Sequence, residues 1–332
     1  MTNTSLETRT TVTESKTPIY SIDGQRLKRL LEASLLWLKA NQQLVNSLNV
    51  FPVPDGDTGT NMLLTMQAAY NEVSNSTETN IGKMAKDIAQ GALMGARGNS
   101  GVILSQIWRG FARALDNLPE MDAEIFSRAL VESRNTAYKG VVRPVEGTIL
   151  TVIKDVSVAV ENASAQQTDL VELISIAVDA ADVSVKYTPE LLPILKSAGV
   201  VDSGGKGLFF ILEGMIRYIK GHSLSASAAM VQPISKMNLS DTMEEVEEGQ
   251  DVEVVVDFST EKTLDLESFY KDLAKIGTSI QVGEGDGMYR MHIHVEAAKR
   301  NEPLDYISSI GSWSKVSMEN LQLQMAGSKQ KN

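Results

Sequence analysis

The chain has 332 residues, a length that allows one large domain or two. Its 31 basic and 42 acidic residues give a net charge of −11, which argues against nucleic acid or an anionic membrane as a partner of the whole surface. The absence of cysteine excludes disulfides, thiolate metal sites and a cysteine nucleophile, and a cytoplasmic location is expected. No apolar run in the sequence approaches the roughly 20 residues that span a bilayer.

The first half of the chain is predicted to be helical. Residues 1–20 are rich in Thr, Ser and Glu and are expected to form a disordered leader. From Ser21 onward, leucines recur at spacings of three and four residues, as on one buried face of a helix. Across 21–221 this pattern predicts no convincing strand and eight amphipathic helices, at about 21–48, 60–73, 81–94, 101–115, 122–139, 147–162, 169–186 and 206–220.

The pattern changes in the last third of the chain. Residues 222–250 carry a run of acidic side chains from Asp241 onward without a basic one, which predicts a solvated linker. Residues 251–326 alternate with the period of strands and predict the order β-α-β-β-α-β, a small α+β domain. Residues 327–332 are expected to be frayed.

Two carboxylates, Asp55 and Asp57, stand out in the loop before the second predicted helix. Gly56 separates them, so both can point to one side of an extended turn, and paired carboxylates beside phosphate suit Mg²⁺. Thr60 and Asn61 then open a helix, whose N-terminus favours phosphate. A turn followed by an ordinary helix cap explains the same residues, and the pattern leaves both interpretations open.

Three further loops carry small polar residues beside glycine at the start of a helix. Gly98, Asn99, Ser100 and Gly101 form a second candidate phosphate loop, which is not a Walker motif because no Gly-Lys-Ser/Thr closes it. Thr148 and Asp202 stand in the other two, where a capping role is the plainer interpretation. Four such loops suggest one rim that converges on a ligand.

His292 and His294 alternate along a predicted strand and therefore face the same side. Two imidazoles on one face can share a metal ion, although a polar sheet face is the plainer interpretation.

Four ordered motifs resemble the ATP-binding subunit of bacterial fatty acid kinase. They are NVFPVPDGDTGTNM at 49–62, GARGNSGVILSQ at 95–106, PVEGTILTV at 144–152 and GVVDSGGKGL at 199–208. The first domain of that family is similar to the L subunit of dihydroxyacetone kinase, an eight-helix antiparallel barrel. The resemblance therefore implies a mainly α fold, with this barrel followed by the α+β domain.

The resemblance also implies an activity and a set of site residues. Asp55 and Asp57 look like the catalytic carboxylates that hold Mg²⁺ between nucleotide phosphates, two ions being expected, and Asn49 lies nearest the position of a third ligand. Thr60, Asn61 and the loop Gly98–Gly101 look like phosphate contacts, with Thr148 and Asp202 lining the nucleotide end. The family transfers the terminal phosphate of ATP to a fatty acid carboxylate, which a separate DegV-like protein presents.

The sequence departs from that family in two ways. Family members often bind zinc through a cysteine and two histidines of the middle domain; here His292 and His294 remain, and Asp251 is expected to replace the cysteine. The family continues into a further domain, so we expect that this chain is truncated or that the partner-binding part is a separate polypeptide. A homodimer through the middle domain is also expected.

Two other functions stay open at the level of sequence. One is a dihydroxyacetone-type kinase subunit, which has the same fold and another acceptor. The other is a nucleotide-binding scaffold that transfers no phosphate.

Overall fold

A computed structural model describes residues 18–225, 251–285 and 287–321. The predicted leader up to residue 17, the predicted acidic linker from residue 226 to 250 and the predicted tail at 327–332 lie outside the described residues.

Eight long helices form a closed antiparallel ring in the described part of the chain. Each helix packs on the next long helix in sequence, and the last returns to the first and to the seventh. The ring helices are α1 (Gly24–Ser47), α2 (Thr58–Val73), α3 (Ile81–Gly95), α4 (Gly98–Ala114), α5 (Ala123–Lys139), α6 (Ile149–Ser164), α7 (Leu170–Leu191) and α9 (Ser203–Ile219), with a short α8 (Pro193–Ala198) before the last. The predicted fold class is confirmed.

The leucine stripe of α1 shows why the ring closes. Leu27, Leu31 and Leu38 are at most 1% exposed and face the centre of the barrel. Each such side chain contributes about 1.5–3 kcal/mol when it leaves water. Asp23 accepts a hydrogen bond from the Arg26 amide and so starts the helix.

The helix ends differ from the prediction for local reasons. Helix α7 continues to Leu191 although Pro189 lies in its last turn. The carbonyl of Val185, which has no amide donor at Pro189, accepts a hydrogen bond from the Thr188 hydroxyl.

The short strands β1 (Ser21–Ile22) and β2 (Met121–Asp122) pair where no strand was predicted.

The second domain is a four-stranded antiparallel sheet with two helices on one face. Its elements are β3 (Val252–Ser259), α10 (Leu266–Leu273), β4 (Thr278–Gly285), β5 (Met288–Val295), α11 (Glu302–Ile310) and β6 (Ser312–Asn320), and the strand order is β4-β5-β3-β6. Alternate residues of β3, such as Val254 and Phe258, are fully buried in the core with the helices. The other side of β4 and β5 lies against α3 and α4 of the barrel.

Within the described ranges, none of the helices has the length and apolar character needed to cross a membrane.

Candidate functional site

A cavity of about 650 Å³ lies between the loops at one end of the barrel and the sheet of the second domain. Three residues predicted as site residues, Thr60, Gly101 and Asp251, are not among the described residues that line it. The predicted residues that do line it are Asn49, Asp55, Asp57, Asn61, Gly98, Asn99, Ser100, Thr148, Asp202, His292 and His294.

Asn49 holds the loop that carries the two carboxylates. Its side-chain oxygen accepts hydrogen bonds from the amide and the hydroxyl of Thr58, and its Nδ2 donates to the carbonyl of Val53 at 2.7 Å. Asn49 is 2% exposed, and its hydrogen bonds to Val53 and Thr58 join the two ends of the loop from the buried side. The residue that was predicted as a third metal ligand therefore already serves as a structural clamp.

Asp55 and Asp57 are half-buried and close to one another. Burial, and next the charge of Asp57, raise the pKa of Asp55 well above its usual range. Burial also raises the pKa of Asp57, although hydrogen bonds with Asp55 and Asn61 oppose this rise. Two carboxylates held together in this way favour a bound cation.

The second loop contacts the first through a glycine that no other residue can replace without strain. Gly98 has φ +57°, and a Cβ at this position would lie 2.4 Å from Nδ2 of Asn61. Helix α4 starts at this glycine, so its free amides at Gly98, Asn99 and Ser100 face the cavity beside the carboxylates.

Thr60 and Gly101 serve packing within the barrel. The Thr60 hydroxyl accepts hydrogen bonds from Gln42 at 2.9 Å and Asn46 at 3.1 Å, both in α1. A Cβ on Gly101 would lie 2.6 Å from the hydroxyl oxygen of Thr65, so this glycine allows α4 to approach α2. The structure therefore does not bring these two predicted phosphate contacts to the cavity.

Thr148 and Asp202 are the N-caps of α6 and α9, and both line the cavity. Thr148 accepts a hydrogen bond from the amide of Leu150 at 3.3 Å, and Asp202 accepts one from the amide of Gly205 at 2.6 Å. Burial raises the pKa of Asp202 to about 7, against the opposing effect of hydrogen bonds from backbone amides. Thr148 and Asp202 therefore cap their helices, as the plainer interpretation predicted, and they also line the cavity.

The second domain contributes a cluster of one carboxylate and two imidazoles. The ligand atoms of Glu253, His292 and His294 lie within 4.8 Å of one another. Glu253 Oε1 is 3.0 Å from Nδ1 of His292, while Nε2 of His292 and Nδ1 of His294 are buried without a hydrogen-bond partner among the described residues. Buried imidazole nitrogens without a hydrogen-bond partner are suitable ligands for a metal ion.

The cluster uses Glu253 in place of the predicted Asp251. The carboxylate of Asp251 accepts a hydrogen bond from the amide of Ala297 at 3.3 Å, beyond the end of β3. Glu253 lies opposite His294 in the register of β3 and β5. The alternation of Val252, Val254 and Val256 already indicated that Glu253 faces the opposite side, and this signal could have identified it.

Two residues that the sequence did not predict as site residues join the second domain to the candidate phosphate loop and the helix before it. Arg290 is 4% exposed and donates from Nη1 to the carbonyls of Leu93 at 2.7 Å and Ala96 at 3.0 Å, at the C-terminal end of α3. Gln281 in β4 donates to the side-chain oxygen of Asn99. Both contacts link residues more than 180 positions apart, and no local pattern predicts them.

Comparisons with known proteins agree with this architecture. The DAK2 domain matches residues 52–217, and the FakA-like middle domain of fatty acid kinase matches residues 247–328. Protein YloV of Bacillus subtilis is 39% identical over 315 residues, which cover 92% of this chain and 57% of that protein. An uncharacterised protein of Staphylococcus saprophyticus is 38% identical over 313 residues, which cover 92% of this chain and 56% of that protein.

Among solved structures, the dihydroxyacetone kinase of C. freundii is similar, with a TM-score of 0.42 and 16% identity over 66% of this chain and 38% of that one. The chain spans little more than half the length of the curated relatives named above. The match to residues 52–217 covers half of the chain, and the second domain has its own match in the same order. The chain therefore belongs to the DAK2-domain family and carries a middle domain of the FakA-like type.

Proposed function

We propose that the chain is the nucleotide-binding part of a Mg-ATP-dependent phosphotransferase that phosphorylates a fatty acid carboxylate to an acyl phosphate. The observation that carries this proposal is the convergence of Asp55, Asp57 and the N-terminus of α4 on one cavity. Carboxylates and free helix amides are the groups that Mg²⁺ and phosphate require. The acyl chain would be presented by a DegV-like binding protein.

The carboxylate pair fits the expected metal. Burial, and next the charge of Asp57, raise the pKa of Asp55 well above its usual range, and a divalent cation would offset both effects. Asp55 and Asp57 would hold Mg²⁺, and Asn49 would keep their loop in place. When bound, Mg²⁺ neutralises charge on the phosphates of ATP or ADP.

The remaining polar groups fit the nucleotide phosphates. The amides at the start of α4 and the side chains of Asn61 and Ser100 line the same cavity and offer donors to phosphate oxygens. Asp202 lines it at the start of α9. Because these groups are fixed by helix caps and close loop packing, they can bind phosphate with little rearrangement.

A carboxylate acceptor suits this donor set. Fatty acids have a pKa near that of Asp and Glu, about 4, and are ionised at neutral pH, so no base has to remove a proton from the acceptor. The match of residues 247–328 to the FakA-like middle domain of fatty acid kinase supports this acceptor over dihydroxyacetone, whose hydroxyl would have to lose a proton.

The cluster of Glu253, His292 and His294 is suited to a second metal, and Zn²⁺ fits its donor set. Zinc lies about 2.0–2.2 Å from such ligands, so side chains this close to one another can enclose it after small rotations. The cluster lies in the wall of the same cavity as the Mg²⁺ pair.

Calorimetry tests the nucleotide site. We expect ATP to bind in the presence of Mg²⁺ and to lose affinity when Mg²⁺ is removed or Asp57 is changed to Asn. Asp179→Asn, an exposed carboxylate on α7, is the matched control. Equal affinity of wild type and Asp57→Asn for Mg-ATP would contradict the proposed site.

Trapping of the product tests the acceptor. With a DegV-like protein loaded with fatty acid, and with the part of the longer relatives that this chain does not span added, hydroxylamine should convert the acyl phosphate to a hydroxamate. Nucleotide binding without any hydroxamate would reject the phosphotransferase and favour a nucleotide-binding scaffold.

A further inference from the structure

The charges around the cavity are strongly unbalanced. Among the described residues that line it, the acidic side chains are Asp55, Asp57, Asp202 and Glu253, and the one lysine or arginine is Arg143. A triphosphate adds further negative charge to this space. Arg143 therefore lies where a positive charge is needed, and it is not among the residues assigned above to Mg²⁺ or to the phosphates.

The loop of Arg143 is fixed from two sides. On one side it joins strand β4, since the amide of Val142 donates to the carbonyl of Ile280 and the amide of Val282 donates to the carbonyl of Gly140 at 3.2 Å. These two hydrogen bonds join the loop of the barrel to the sheet of the second domain, so the position of Arg143 depends on both domains. The cavity is also lined by residues of both domains.

On the other side, Glu146 fixes the loop to α5 and α6. Its carboxylate accepts hydrogen bonds from Tyr138 at 2.9 Å and from Thr151 and Lys154 at 2.6 Å. The acidic residue nearest to Arg143 in sequence is thus fully engaged elsewhere.

The guanidinium itself is exposed and makes no hydrogen bond or ion pair with any described residue of the chain. Arg143 combines this exposure with a loop that is anchored on two sides and lines the cavity proposed to bind phosphate. A free guanidinium on a fixed backbone is instead suited to an anionic ligand that is absent from the protein alone.

We propose that Arg143 binds the terminal phosphoryl group of the nucleotide, an inference that rests on the proposed function. During transfer, a bond forms between an acceptor carboxylate oxygen and the terminal phosphorus. The bond from that phosphorus to the bridging oxygen breaks, and its electron pair leaves with ADP. Arg143 keeps its protons and donates two parallel hydrogen bonds to the phosphoryl oxygens, over which the charge spreads.

Affinities for a diphosphate and a triphosphate test this inference. Calorimetry with Mg²⁺ compares ADP with β,γ-imido-ATP, which does not transfer its terminal group. Arg143→Met should weaken the triphosphate analogue by about tenfold or more, while ADP changes by less than about twofold. Arg143→Lys should recover part of the loss because it keeps the charge and loses the paired geometry.

The matched control is Arg113→Met, an exposed arginine on α4 that does not line the cavity. It should leave both affinities unchanged. If Arg143→Met leaves the ratio of triphosphate to diphosphate affinity unchanged, whether both affinities stay the same or fall equally, the inference is overturned. Failure of the wild type to bind either nucleotide would instead refute the proposed function on which the inference rests.

Discussion

Glu253 in β3 lies directly opposite His294 in β5, and His292 is the next residue on the same face. Burial, and then the charge of His292, lower the pKa of His294 to about 3, so this imidazole is neutral and keeps a free lone pair. We expect Co²⁺, as a visible probe for zinc, to give an absorption band on binding that His294→Ala loses, with affinity reduced by about tenfold or more.

His222→Ala is the control for this experiment because His222 is the third histidine of the sequence and is exposed. It should bind Co²⁺ as the wild type does. Equal Co²⁺ spectra in His294→Ala and His222→Ala would show that the cluster holds no metal.

The carboxylate pair should reduce stability when no cation is present. Asp55→Asn removes one charge of the pair and keeps an oxygen that can accept the hydrogen bond from the Asp57 amide. In EDTA we expect the free energy of unfolding to rise, because burial and the charge of Asp57 both disfavour the ionised form of Asp55.

Adding Mg²⁺ should reverse the order of stability, since the wild type gains binding energy and the variant does not. Urea unfolding with and without Mg²⁺ measures both effects. A variant that is less stable than the wild type in EDTA would contradict the expected repulsion.

Asp202 should make stability depend on pH. Its pKa is about 7 in the folded protein and close to 3.8 in the unfolded chain, so the folded state binds the proton more tightly. The resulting stabilisation is complete below about pH 4, declines as the pH rises toward 7 and is absent above it, with a slope of at most about 1.4 kcal/mol per pH unit.

Asp202→Asn keeps the cap on Gly205 and removes the titration. In EDTA, the variant should gain stability relative to the wild type between about pH 5 and about pH 7, and the difference should level off above about pH 8. A difference that does not change with pH would show that Asp202 keeps an ordinary pKa.

The buried ion pair of Arg290 should be sensitive to loss of one partner. Nε and Nη2 of Arg290 lie 2.5 and 2.6 Å from the two carboxylate oxygens of Asp257, and both side chains are almost fully buried. Arg290→Met leaves this carboxylate without its cation, and we expect a loss of about 3–5 kcal/mol in the free energy of unfolding.

The double variant Arg290→Met/Asp257→Leu should recover part of that loss, since no unpaired charge remains. Arg300→Met, an exposed arginine of the same domain, should have little effect. If the two single changes simply added in the double variant, the two side chains would not act as a pair.

Local patterns were sufficient to predict much of this molecule. The spacing of Leu27, Leu31 and Leu38 predicts α1 because a helix buries one face, and alternation in Val252–Phe258 predicts β3 because a strand buries every second residue. The spacing of Asp55 and Asp57 across Gly56 predicted two carboxylates on one ligand-facing loop, and both line the cavity.

What the sequence could not show depends on contacts between distant residues. Thr60 was predicted to contact phosphate, but the side chains of Gln42 and Asn46, one helix earlier, engage its hydroxyl. Gln281 and Arg290 reach the candidate phosphate loop and the end of α3 only because the two domains pack together, and no local sequence pattern predicts that packing.

The contact between Arg290 and the barrel depends on the identity of Arg290 and not on the identity of the barrel residues that it contacts. Its acceptors are the backbone carbonyls of Leu93 and Ala96, which every amino acid possesses. Substitutions at these two positions can change the packing around the contact but cannot remove the acceptors. Sequence changes at these two barrel positions therefore leave the acceptors in place, whereas a change of Arg290 removes this contact from the interface between the domains.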